Sequence, residues 1–385
     1  MHADLTERIQ KLLPDLVELR HDLHAHPEIA FDLPRTSGIV VDRLRALGLQ
    51  PRTGVGGCGV TALIPSDGGG PVIALRADMD ALPMDEETGL PYASQNAGAM
   101  HACGHDGHTT MLLGTAEVLS GLSERLPGPI LLIFQPAEEI VRGADAMIQD
   151  GALDDPRPAA IFGLHGWPGI PVGTVGLREG PLMASADTWD AVIRGKGGHA
   201  AHPEGTSDPI VAAAHLITAW QTIASRRTPA VSSVVLTVTR VEAGSAYNII
   251  PPEAHLSGTF RTLSTEMRER VPQLMTEIGA SLCRAMGCSL ELTVAPGTTV
   301  TVNHGGLARH AATVLGEDRV RWVDAPSMGG EDFGRFAELV PGCFLWLGLG
   351  ERPFCHHPGF DFADEALPVG IEVLCRLALH PLPQL

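Results

Sequence analysis

Val72-Ile73-Ala74-Leu75-Arg76, bounded by Pro71 and followed at once by Ala77-Asp78-Met79-Asp80, reads as a short buried strand that delivers two carboxylates at its end. It is too short for a helix and is flanked by turn residues. Val60–Ile64 and Ile130–Phe134 are runs of the same kind. Helical patterns lie around them. From Leu5 to about His24, apolar residues recur at helical spacing (Ile9, Leu12, Leu13, Leu16, Leu19, Leu23), and Thr36–Leu47 repeats the pattern until Gly48 stops it. His108–Leu122 has helix-former composition. Strands alternating with helices predict an α/β sheet, in which ligands collect beyond the carboxyl ends of the strands. Asp78, Asp80, Gln135, Glu138, Glu139 and His165 all fall just past an apolar run.

Further along the chain the pattern changes. Strand Trp189–Arg194, helix Pro209–Ile223, strands Ser233–Val241 and Ala254–Thr262, helix Thr265–Ala285 and strand Leu290–Val294 follow one another. That order is βαββαβ, the split-βαβ or ferredoxin-like sandwich. It predicts an inserted module over residues 186–295, between two parts of one α/β domain, 1–185 and 296–385, the second ending in a helix over Leu367–Leu379.

The chain has 385 residues, more than one domain usually holds. Its 45 acidic against 27 basic residues give a net charge of −18, which repels phosphate backbones and anionic lipid surfaces and argues against nucleic-acid and membrane partners. The first residues lack the basic start and apolar stretch of a secretion signal, and seven scattered cysteines make a poor disulfide framework. A cytoplasmic protein is expected, with Cys103 free to act as a thiolate.

His101-Ala-Cys103-Gly-His105-Asp106-Gly-His108, followed by Glu138-Glu139, carries the chemistry. Thiol, imidazole and carboxylate are the ligand types that borderline-soft divalent metals take. An isolated Cys-x-His is more often a buried cysteine near surface histidines. Here Glu138-Glu139, His165 and His356-His357 add candidates at strand ends or among glycines and prolines, and Gly104 and Gly107 favour a loop in which Cys103 and His105 converge. With Glu139 on a metal, Glu138 is placed to move protons. Asp78 and Asp80 either ligate directly or accept hydrogen bonds from a liganding imidazole; the second role is preferred. In the inserted module, His199 can donate to an oxyanion, and Asn248 and Arg261 could hold a substrate carboxylate, although an ordinary surface salt bridge is the simpler reading of Arg261.

Six segments, Arg76–Pro83, Met100–His108, Phe134–Glu139, Gly197–Pro203, Met328–Phe333 and His356–Glu365, together resemble the dinuclear metal amidohydrolases: hippurate hydrolases, N-acyl-amino-acid deacylases and plant indole-acetyl-amino-acid hydrolases, related to carboxypeptidase G. The resemblance covers nearly the whole chain in order. It implies a zinc-peptidase-like α/β catalytic domain, a lid that mediates homodimerisation, and two divalent ions (Zn, Mn, Ni or Co). By the same resemblance Cys103 bridges the ions, Glu139 and His356 complete one, His105 and His165 the other, and Glu138 is the general base. His356 aligns with the family ligand, and His357 stands where relatives carry Asn or Ser. His199 matches a residue that in some relatives reaches the neighbouring subunit's site, and Asn248 and Arg261 fall in segments that shape substrate binding. The implied activity is hydrolysis of an N-acyl amino acid to a carboxylate and a free amino acid. Dipeptidase or carboxypeptidase-like hydrolysis is the near alternative, and a non-catalytic metal-dependent binding protein the rival from another class.

Overall fold

The computed structural model describes residues 2–384. It falls into two compact units: Met1–Leu182 with Thr301–Ala325 and Asp332–Leu385, and Met183–Val300 with Pro326–Glu331. The breaks at 182/183 and 300/301 lie a few residues from those read in the sequence. The return of Pro326–Glu331 to the smaller unit has no counterpart in that reading.

In chain order the first segment carries α1 (His2–Ala25), α2 (Pro34–Ala46), β1 (Arg52–Val55), β2 (Gly59–Ile64), β3 (Ile73–Asp78), α3 (His105–Ser120), β4 (Ile130–Gln135), α4 (Gly143–Gln149), β5 (Ala160–Trp167), β6 (Val175–Leu177) and β7 (Gly180–Met183). The insert holds β8 (Ser185–Arg194), β9 (Gly198–His199), α5 (Pro209–Thr222), β10 (Val234–Ala243), β11 (Ile249–Ile250), β12 (Glu253–Thr262), α6 (Thr265–Ala285) and β13 (Ser289–Thr298). The chain closes with β14 (Thr301–Asn303), α7 (Gly305–Leu315), β15 (Val320–Trp322), α8 (Phe333–Ala337), β16 (Gly342–Gly348) and α9 (Leu367–Leu379).

The larger unit is built on an eight-stranded mixed sheet in the order β1-β2-β4-β3-β5-β16-β6-β15. β4, β3, β5 and β16 run parallel, so their carboxyl ends open on one edge. Every residue of β3, β4 and β16 is buried, which explains why β3 and β4 read as continuous apolar runs and not as alternating ones. Leu16, Leu19 and Leu23 of α1 join Met111, Leu112 and Leu119 of α3 and Ile371 and Leu374 of α9 in the core. Leu12 and Leu13, also part of the sequence pattern in α1, are only partly buried.

The smaller unit has a four-stranded antiparallel sheet in the order β10-β12-β8-β13, which is the ferredoxin-like arrangement. α5 and α6 pack on it around Trp189 and Trp220, whose rings meet edge to face at 5.0 Å. The Trp220 indole N–H is satisfied by the Met275 carbonyl at 3.0 Å. Among the described residues, no helix is long and apolar enough to cross a membrane.

Candidate metal centre

Parallel strands bring the candidate ligands together because each strand ends at the same sheet edge. Asp78 closes β3 opposite Gln135, which closes β4, and Glu138-Glu139 follow three residues later. His165 lies inside β5 near its end, paired with Trp346 of β16, and not beyond the strand as its apolar run suggested. Cys103 sits in the turn before α3. That helix begins at His105, three residues earlier than read, because Gly104 takes φ +87° and turns the chain into it. Gly107 is therefore a helical glycine and no loop former. A Cβ there would lie 2.6 Å from the Phe362 ring, so glycine is required for close packing.

The donor atoms of Cys103, His105 and His165 lie within 4.8 Å of one another, and so do those of Cys103, Glu139 and His356. Cys103 Sγ belongs to both groups. Its distance to His165 Nε2 is 3.3 Å, and His356 Nε2 is 3.3 Å from Glu139 Oε2. Glu138 stands beside His105 and Glu139. The backbone is strained to achieve this: Ala137, Val141 and His356 all have φ between 54° and 67°, a region non-glycine residues rarely occupy. Hydrogen bonds hold the strained segments. The Asp80 carboxylate accepts from the N–H groups of Glu138 (2.9 Å) and Glu139 (3.2 Å), and His356 N–H donates to the Ala102 carbonyl at 2.8 Å.

The hydrogen bonds also fix the imidazole tautomers. A carbonyl can only accept, so His105 Nδ1, 2.8 Å from the Asp80 carbonyl, and His165 Nδ1, 2.8 Å from the Gly166 carbonyl, carry the protons. In both rings Nε2 is left facing the cluster. Asp80 thus faces His105 Nδ1 with its backbone oxygen and also with its carboxylate, 3.5 Å away, and the same carboxylate anchors the acidic pair. His357 belongs to none of these donor groups, and its Nδ1 accepts from Gly359 N–H at 3.0 Å in a local turn.

These residues fit a divalent cation pair on their own evidence. His105 Nε2 and Glu139 Oε1 are buried without a hydrogen-bond partner, a costly state for the protein alone. Burial opposes charge on His105, but Asp78, Asp80 and Glu139 outweigh it and push its pKa well above the usual value. The same negative surroundings favour a cation at Nε2. His165 is pushed well below the usual value by burial and by His108, which keeps it a neutral donor. The neighbouring Cys355 thiol, burial and the Glu139 carboxylate push Cys103 well above the ordinary thiol range. It becomes a thiolate only with positive charge beside it.

Several contributors were not assigned roles from the sequence. The Arg76 guanidinium, fully buried, bonds Asp78 (2.7 Å), Gln135 (2.8 Å) and Asp332 (3.0 Å). Asp332 also accepts from Ala144 N–H at the start of α4, which follows the acidic pair. Behind Cys103 and His105, Asp106 binds His24 at 2.8 Å, and buried His101 has no hydrogen-bond partner on either ring nitrogen. Arg76 and Asp332 lie 256 residues apart, and no spacing rule links them. The remaining sequence candidates belong to the smaller unit. His199 is exposed in the short β9, exposed Asn248 accepts from Ala200 N–H through its carbonyl at 3.0 Å, and Arg261 donates to the Met328 carbonyl at 2.9 Å.

The chain is 41% identical over 373 residues to N-acetylcysteine deacetylase of Bacillus subtilis strain 168, covering 94% of this chain and 96% of that protein. It is 34% identical to hippurate hydrolase of Campylobacter jejuni, over 98% of this chain and 99% of that one. The crystal structure of a dinuclear metal-binding peptidase of Bacillus subtilis superposes with a TM-score of 0.86 at 37% identity, covering 96% of this chain and 98% of that one. The model of peptidase family M20/M25/M40 matches residues 74–380, a span that contains every residue of the two donor groups. The chain therefore belongs to that family.

Proposed function

We propose that the protein hydrolyses the amide bond of N-acyl amino acids, releasing a carboxylate and a free amino acid. The observation that carries this reading is one buried sulfur, Cys103 Sγ, common to two donor groups with Glu138 beside them. Cys103 would be shared between two divalent cations, with Glu139 and His356 holding one and His105 and His165 the other. When bound, such cations supply Lewis-acid polarisation of a carbonyl and acidification of water. Glu138 accepts the proton of the attacking water at its carboxylate and delivers it to the nitrogen of the departing amine. Asp80 holds Glu138 and Glu139 in place through their N–H groups.

We assign oxyanion donation to His199 and the substrate carboxylate to Arg261 and Asn248, on the chemistry of an exposed imidazole, a planar guanidinium fork and an amide. The relatives acting on N-acetylcysteine and on hippurate support an acylated amino acid as substrate. A homodimer through the smaller unit is supported by β10, an edge strand bearing exposed Val235 and Val241 that offers ladder hydrogen bonds to a second copy. Seven unpaired cysteines support a reducing, cytoplasmic setting.

The test is a panel of acetyl-, benzoyl- and indolylacetyl-amino acids beside simple dipeptides, with added divalent metals. Release of free amino acid from the acyl substrates is expected. Cleavage of dipeptides alone would replace this reading.

A further inference from the structure

His108 lies in the same helix as His105 and belongs to neither donor group that contains Cys103. Both of its ring nitrogens are already committed. Gly166 N–H donates to His108 Nε2 at 2.8 Å, and since an N–H cannot accept, the His108 proton sits on Nδ1, which donates to Asp78 Oδ1 at 2.6 Å. A third grouping, Asp78, His105 and His108, is close enough for a metal, but His108 has no lone pair left for one.

The place of this bond in the sheet is informative. β5 pairs with β3 only from Ala160 to Gly163, whereas it stays paired with β16 to its last residue. At Gly166 the β3 ladder has ended, and the His108 imidazole takes up the N–H there. The next carbonyl, that of Gly166 itself, is the one that fixes His165 Nδ1 at 2.8 Å. Behind His108 the support continues through Asp78 to Arg76, and from Arg76 to Gln135 and Asp332.

We propose that His108 is a positioning residue: it holds Gly166 at the unladdered end of β5, so that the Gly166 carbonyl keeps the proton of His165 on Nδ1 and its Nε2 lone pair beside Cys103. The inference rests on the two-cation reading. It makes an asymmetric prediction, because His165 serves one donor group and not the other.

The experiment is Zn²⁺ titration of the metal-free full chain against a chromophoric chelator, with apo-protein thermal unfolding as the folding control. Asn at position 108 can still donate to Asp78 but is too short to reach Gly166; Gln can reach it. His108→Asn is expected to weaken one of the two Zn²⁺ affinities by about ten- to a hundredfold and leave the other within about twofold. His108→Gln should recover most of the loss. Should the Asn variant not fold, the Gln variant decides alone: affinities within about threefold of wild type at both positions support the role, and a fall of about tenfold or more at either overturns it. Equal losses at both positions in a folded His108→Asn protein, or no loss at all, overturn the proposal while leaving the metal centre standing. Failure of the wild-type chain to take up two ions would instead remove the reading on which the proposal rests.

Discussion

His105 Nε2 and Glu139 Oε1 face each other across 3.9 Å, and neither atom has a hydrogen-bond partner. Two buried polar atoms in that state cost the fold free energy, which cations bound at the two donor groups would recover. Chelation should therefore destabilise the protein. The unfolding temperature is expected to fall on dialysis against a chelator and to recover with added divalent metal, rising with metal concentration as linkage demands. An unfolding temperature indifferent to both treatments would contradict the site.

Cys103 belongs to both donor groups, so Cys103→Ser should weaken uptake of both ions while the apo-protein unfolds at nearly the wild-type temperature. Elemental analysis after gel filtration reads the first, and scanning calorimetry the second. Full metal content in the variant would exclude the shared sulfur.

Glu138→Gln keeps the shape of the side chain but cannot take up a proton. Turnover is expected to drop about 10²- to 10⁴-fold with metal content unchanged, the range for loss of a general base. Near-normal rates at saturating substrate would reassign the proton carrier.

The adjacent imidazoles make a paired test. His356→Asn is expected to remove one ion of the two, because His356 Nε2 is the nitrogen beside Glu139. His357→Asn should leave both in place, since that ring serves Gly359. Metal stoichiometry of the two variants decides between them.

His24 supplies a pH-dependent component of stability. Burial disfavours its cation, but the Asp106 carboxylate, with a further hydrogen bond to Glu86, raises its pKa to about 9. A folded-state pKa above the unfolded value near 6.5 means that the stabilisation is complete below about pH 6.5 and is lost as pH rises through about 9, a difference on the order of 3 kcal/mol. Chemical denaturation of wild type and His24→Gln between pH 6 and 10 should show the curves far apart at the acid end and converging at the alkaline end. A constant gap would show that His24 is neutral in the folded chain.

Most of the secondary structure was legible because short apolar runs and helical periodicity are local properties: α6 was read residue for residue as Thr265–Ala285, and most other ends fell within about three residues. The start of α3 was missed because a glycine signals a loop equally well whether it caps a helix at Gly104 or packs inside one at Gly107. His108 stood in plain view in the quoted motif, yet nothing local says that its partner is a backbone N–H 58 residues away.

The amino-acid order by itself determined which donors the protein owns, the α/β pattern of short buried runs that end beside them and the family to which the chain belongs. Only the tertiary structure decided which atoms of those donors converge. Tautomers, the left-handed turn at His356 and the buried Arg76–Asp332 tie all depend on hydrogen bonds between segments far apart in the chain, and such bonds leave no period or spacing to read.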